Sequence, residues 1–249
     1  MARFKIILAY DGTLLFGSQR QAASRTAQSE LEKALGRLGW QGKSVLLAGR
    51  TDTGVHASGQ VASFDLLWNH QPEDLIRALN SNLPAEMAVC AAQVVPDDFH
   101  PRFDAKSRRY CYRLYCQPVR DPLRERYAWR QWPTLDVKLL DETARFILGQ
   151  HDFAAFGTPP RPGSSSIRTI IKAEWHSQAD ELFFDVQADA FLYHMVRRLV
   201  FVLVTVGQGR FQPQVVAEML AHNPSSVPAG LAPASGLTLV EVTYPENFR

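Results

Sequence analysis

The sequence predicts an α+β chain made of two tandem ferredoxin-like (RRM-like) α/β units with antiparallel sheets. Two observations lead there. Short alternating runs and longer amphipathic runs follow one another as β-α-β-β-α-β, and the same order recurs in the second half of the 249 residues. The two kinds of run are separable by period: half-buried strands alternate every second residue, while helices keep an apolar stripe every three to four.

Phe4 to Tyr10 alternates as a strand and is stopped by Asp11-Gly12. From Thr26 to Leu38, Leu31, Leu35 and Leu38 share one helical stripe, and Gly36 and Gly39 lie near its end. Val45 to Ala48 and Gln60 to Asp65 read as two strands around a Gly-rich loop. Pro72 suits the first turn of a helix that ends near Asn80. Met87 to Val94 is the next strand. In the second half, Arg108 to Cys116 is a strand and Asp136 to Leu148 a helix. Ile167 to His176 and Leu182 to Ala188 form a hairpin across Ser-Gln-Ala-Asp. Phe191 to Val206 is a strongly apolar helix, Pro213 to Ala221 a short one, and Leu237 to Tyr244 the last strand. The expected division is residues 1–105, carrying the loop, and residues 106–249, with basic inserts near 117–132 and 157–167.

With 46% hydrophobic and 21% charged residues, the composition is that of a globular protein. A net charge of +2 makes no case for a polyanion partner by itself. From Arg102 to Arg130, however, nine Lys/Arg face three Asp/Glu, a local excess of six. That excess suits an electrostatic footprint for nucleic acid, and equally a solvated basic face. Three cysteines without a CxxC pair argue against a disulfide framework or zinc site, and point to a reducing, cytoplasmic setting. The start lacks a signal peptide's pattern. The longest apolar run, Leu199 to Val206, is far short of the roughly 20 residues that span a bilayer, so no membrane association is expected.

The loop in Leu46–Phe64 places Arg50, Asp52 and His56 between glycines. Turn chemistry explains Gly49 and Gly54 but not an arginine two residues before an aspartate. Asp-Thr-Gly at Asp52 also occurs in aspartic proteases, whose paired carboxylates share a proton. No second such tripeptide exists in the chain. Neither phosphate-loop pattern is present, and a calcium loop lacks its further oxygen ligands. Arg197 and Arg198 interrupt a helix that is otherwise apolar all round. A buried guanidinium would need an anionic partner such as Asp52, and would keep that carboxylate ionised; snorkelling of both arginines is the alternative, and spacing does not choose between them. Tyr110 and Tyr112 share one strand face, Tyr115 the other, among Arg108, Arg109 and Arg113. Aromatics among arginines suit a base stacked beside its phosphates, or simply a strand core. His56, His151 and His194 are too scattered for a metal site.

Taken in order, YDGT (Tyr10–Thr13), GRTDTGVHASGQV (Gly49–Val61), FHPRFDAKSRRYCY (Phe99–Tyr112), GQHDF (Gly149–Phe153), FLYHMVR (Phe191–Arg197) and APASGL (Ala232–Leu237) resemble the TruA family of tRNA pseudouridine synthases. The resemblance spans about residues 6 to 245. It implies two ferredoxin-like units joined into one pseudouridine-synthase fold. It also implies isomerisation of uridine at positions 38, 39 and 40 of the tRNA anticodon stem-loop by a cytoplasmic homodimer, with no cofactor and no metal. The family's catalytic aspartate falls on Asp52, its base-flipping arginine on Arg50, its base-packing tyrosine on Tyr110, and the aspartate's arginine partner on Arg197 rather than Arg198. Arg108, Arg109 and His56 are further candidates for substrate binding. An extruded base attacked by a carboxylate fits these residues, at either the sugar C1′ or the ring C6. Many members have Trp at Ser18, Ala at Thr53 and Gly at Phe201. The first departure is expected to alter an N-terminal loop contact, including one with RNA, and the last to alter helix packing. A duplicated RNA-binding module without catalysis is the rival reading, but it leaves Asp52 without a task.

Overall fold

β1 (Ala2–Tyr10) buries Phe4, Ile6, Leu8 and Tyr10, the even positions that the alternation marked. The computed structural model describes residues 1–222 and 227–248. α1 (Ala27–Arg37) starts at Thr26, whose Oγ1 accepts from Ser29 N–H while Ser29 Oγ accepts from Thr26 N–H. Such a cap is worth about 1 kcal/mol. Its buried face is Ala27, Leu31, Ala34 and Leu35. β2 (Leu46–Leu47) is brief, and β3 (His56–Leu66) begins at His56, four residues before the alternation suggested. α2 (Pro72–Asn80) and β4 (Met87–Val95) follow, with proline in the first helical turn. β1 pairs antiparallel with both β3 (Phe4↔Phe64) and β4 (Phe4↔Val94), and β2 pairs with the far half of β3 (Leu46↔Ser63). This is the β4-β1-β3-β2 order of a ferredoxin-like sheet.

The second unit repeats the layout with additions. β5 (Ser107–Cys116) pairs antiparallel with β9 (Glu181–Ala188), β9 with β8 (Ile167–Gln178), and β8 with β7 (Gly149–Asp152). The hairpin between β8 and β9 turns at Ala179, with φ +54°. β6 (Trp129–Gln131) runs parallel beside β5. α3 (Val137–Ala144) ends in a 3-10 turn, Arg145–Ile147, and packs on β8 and on α4 (Met195–Gly207). α5 (Gln214–Leu220) is short.

Several expectations change here. Residues 117–132 are no free insert, since β6 lies within them. The segment 157–167 is pinned at Thr158, which exchanges two backbone hydrogen bonds with Tyr193 (3.0 and 3.2 Å). That exchange holds residues 191–193 extended. His194 then takes a left-handed φ of +65°, so α4 starts at Met195 and not at Phe191. The last strand, β10 (Leu237–Thr243), runs parallel to β3 through Thr238↔His56 and Leu239↔Ala57. The chain accordingly divides into Met1–Lys106 with Thr238–Arg249, and Ser107–Leu237. The final strand returns to the first unit, whereas the sequence pattern had placed it in the second. No helix among the described residues is long and apolar enough to cross a membrane.

Candidate active site

In the first unit, Asp52 sits in the loop between β2 and β3, partly exposed, with Arg50 exposed beside it. A tight turn closes the loop: Val55 N–H donates to Asp52 O at 3.1 Å, and Gly54 takes φ +82°. The residue before the carboxylate, Thr51, is buried, and each of its polar atoms is engaged. Its N–H donates to Ser18 Oγ (2.8 Å), its carbonyl accepts from Ser18 N–H (3.1 Å), and Oγ1 lies 2.9 Å from Tyr10 Oη. Gln60 Nε2 ties Tyr10 Oη (3.4 Å) to the Gly49 carbonyl (2.9 Å). Burial pushes the Tyr10 phenol up, against hydrogen bonds with Thr51, Gln60 and Ser18. The scaffold under Asp52 is therefore neutral at working pH.

The N-terminal loop 11–18 packs against this turn closely enough to need glycine. At Gly17, φ +84°, a Cβ would lie 2.7 Å from Thr51 O. Gly54 N–H reaches Leu15 O at 3.3 Å. His56 is 5% exposed, and its Nδ1 accepts from Gly12 N–H at 3.0 Å. Asp11 Oδ1 is 3.2 Å from the same nitrogen. A bond from Gly12 N–H uses the Nδ1 lone pair, whereas an ion pair with Asp11 needs a proton on the same nitrogen, so the two contacts are alternatives. Asp11 Oδ1 also accepts from Thr13 N–H (3.0 Å) and Thr13 Oγ1 (2.6 Å). His56 supports the loop from inside. Ser18 does the same: it is fully buried, which corrects the expectation of an RNA contact there. Thr53, by contrast, is exposed.

In the second unit, β5 presents Tyr110 and α4 presents Arg197. Tyr112 and Tyr115 are fully buried, leaving Tyr110, 7% exposed and edge-on to Phe191 at 5.2 Å, as the one tyrosine of the three with any face to solvent. Arg197 Nε donates to Ala232 O (2.8 Å), and Arg198 Nη1 to Gly230 O (2.6 Å). Both side chains are half-buried, so neither simple burial nor snorkelling describes them. Arg197 lies near Tyr112: burial holds that phenol well above its ordinary value, and the Arg197 charge opposes the shift. Phe201 stacks on Trp129 (6.4 Å between centroids, 12° between planes). Gly230, with φ +151°, makes room for its ring: a Cβ there would fall 2.2 Å from Phe201 Cζ. The large residue is thus accommodated by a glycine on the neighbouring segment.

The basic run looks different once folded. Arg108 is 9% exposed and donates to Asp189 O at 2.8 Å. Arg109 pairs with Asp185 (3.3 Å), Arg113 with Glu181 through two bonds of 2.7 Å, and Arg124 with Asp180 (2.6 Å) and Glu181 (2.8 Å). Arg124 also lies 4.4 Å over the Tyr115 ring. Asp180, Glu181 and Asp185 all come from β9 and its turn, outside the stretch where the charge excess was counted. Arg102, Lys106 and Arg126 remain exposed. Among the described residues, no cluster of His, Cys, Asp and Glu could hold a metal ion.

The sequence matches the family model described as tRNA pseudouridine synthase over residues 6–104 and 144–245. The chain belongs to the tRNA pseudouridine synthase family. It is an enzyme of the isomerase class. A tRNA pseudouridine synthase A from Methylacidiphilum infernorum is 42% identical over 245 residues, covering 98% of this chain and 96% of its own length. Proteins of the same name from Paraburkholderia phymatum (39% identical, covering 100% of this chain and 93% of that one) and Colwellia psychrerythraea (39%, covering 99% and 95%) are similar over their full lengths too. Within this pseudouridine synthase, Arg50, Asp52, His56 and Arg197 fall in the family-matched stretches, while Arg108, Arg109 and Tyr110 fall between them. Sequence reasoning missed the scaffold of Tyr10, Ser18 and Gln60. The available signal was slight: Tyr10 and Gln60 carry polar groups on otherwise apolar strands, and Ser18 follows a glycine.

Proposed function

We propose that this chain converts uridine to pseudouridine at positions 38, 39 and 40 of the tRNA anticodon stem-loop, with Asp52 as nucleophile on a base taken out of the stack. The observation that carries the reading is a partly exposed carboxylate on a turn whose preceding residue, Thr51, has its N–H, C=O and hydroxyl all engaged by buried neutral groups. A nucleophile held this way loses little orientational freedom in the transition state. The N1–C1′ bond breaks, the uracil turns, a C5–C1′ bond forms, and the proton lost from C5 is balanced by one gained at N1. Attack at C1′ and attack at C6 both suit a carboxylate.

In this reading Arg50, exposed beside the turn, fills the gap left by the extruded base. Tyr110 supplies the ring that packs on the uracil, and Arg197 is the cation that pairs with Asp52. Exposed Arg102, Lys106 and Arg126 act on RNA phosphates. The working form is a cytoplasmic homodimer that needs no cofactor. The test is release of tritium from C5-labelled uridine in tRNA, followed by mapping of the modified positions. The expected result is stoichiometric release confined to positions 38 to 40. No release, or release from another arm of the tRNA, overturns the assignment.

A further inference from the structure

Ser18 stands out because three of its polar groups join two different parts of the first unit. Its carbonyl accepts from Gln28 N–H (2.9 Å), in the first turn of α1. Its N–H and Oγ engage Thr51 O (3.1 Å) and Thr51 N–H (2.8 Å), and Thr51 Oγ1 in turn lies 2.9 Å from Tyr10 Oη. Gly17, one residue earlier, is likewise tied to α1 through Ala27 N–H (3.2 Å). α1 is a rigid element, capped by Thr26 and anchored by four buried apolar side chains. Fully buried, Ser18 meets no solvent and no substrate.

We propose that Ser18 is a positioning residue: it transmits the fixed position of α1 to the peptide immediately before Asp52, and so sets where the carboxylate points. The inference rests on the reading of Asp52 as nucleophile. Ser18 N–H holds the carbonyl of the 51–52 peptide and Ser18 Oγ holds the N–H of the 50–51 peptide, so the backbone is fixed on both sides of Thr51. Without the Ser18 hydroxyl, Thr51 N–H loses its acceptor, and a buried unsatisfied N–H drives the backbone to shift. Sub-ångström to one-ångström errors at a nucleophile lower the rate of the chemical step while leaving substrate binding alone.

Ser18→Ala, assayed by tritium release in single turnover at saturating tRNA, is expected to fall about tenfold in rate, with tRNA Kd within about twofold of wild type and full native circular dichroism at the assay temperature. An unchanged rate overturns the proposal; so does a loss that tracks Kd or the folded fraction, which would mark a merely structural role. If Ser18→Ala does not fold, Ser18→Cys, which weakens the acceptor for Thr51 N–H at nearly the same size, takes its place, with an expected fall of about threefold at saturating tRNA; no fall overturns the proposal. Asp52→Asn is run alongside. An active Asp52→Asn defeats the nucleophile assignment itself, whereas an inactive Asp52→Asn with full-rate Ser18→Ala defeats this inference alone.

Discussion

The first unit holds its candidate carboxylate with neutral groups, and the second holds its candidate residues among charges. Around Asp52 the ties run through a serine, a threonine, a tyrosine, a glutamine amide and backbone. Along β5 they run through arginines and the carboxylates of β9. A carboxylate that must stay reactive gains from neighbours that fix its backbone without adding charge. A strand rich in arginine keeps its excess positive charge from collapsing onto one point by pairing part of it internally. Charge counted along the chain therefore overstates the charge offered to a ligand, because the compensating acids arrive from a strand some 70 residues later.

That contrast can be broken most sharply at Asp52. Asp52→Asn keeps the size and the turn but removes the nucleophile, and tritium release should fall by at least about 10³-fold with the melting temperature almost unchanged. Next comes the arginine pair. Arg197→Met and Arg198→Met each remove a bond to a carbonyl in the 230–232 segment, and each such bond is worth about 1 kcal/mol. Thermal melts should thus match, while activity should fall about 10²-fold for Arg197→Met and only a few-fold for Arg198→Met. Equal activities would end the assignment of Arg197 as partner of Asp52.

Within the basic run, Arg102→Ala or Arg126→Ala should each reduce the slope of log K for tRNA against log salt by about 1. Arg113→Ala should leave the slope near wild type and lower stability instead. A filter-binding series across salt concentrations separates the two groups. The smallest effect concerns the carboxylates. Arg113, and to a lesser degree Arg124, hold the Glu181 carboxyl below its ordinary value against its burial. Arg124, with Gln117, lowers Asp180 to about 2. A folded-state pKa below the unfolded one stabilises the fold at neutral pH, and that stability is lost as pH falls from about 4 towards 2. Glu181→Gln should cost about 1 kcal/mol at pH 7 once solvent screening is allowed for, and chemical denaturation should show the gap closing below about pH 4.

The element order was legible because alternation and helical stripes are local properties. α1, α2, β1, β4 and β5 appear within a residue or two of where periodicity put them. Boundaries were lost where a distant partner acts. β3 starts early because β1 and β10 extend its ladder, and α4 starts late because Thr158 captures Tyr193. β6 and β7 are too short for periodicity to register. Asp52, Arg50 and their turn could be read from composition and resemblance. The roles of Arg108, Arg109 and His56 could not, since nothing local announces that Asp189, Asp185 and Gly12 will occupy them.

By itself, then, the sequence determined the two-unit α+β layout, the candidate carboxylate on its Gly-rich turn and the family, because each is written in local pattern or in a contiguous motif. Only the tertiary structure decided which charges stay exposed, which tyrosine of β5 keeps a face to solvent, and that Ser18 braces the residue before Asp52. These depend on side chains far apart in the chain, and hydrogen bonds and ion pairs between them form only when folding supplies the distance.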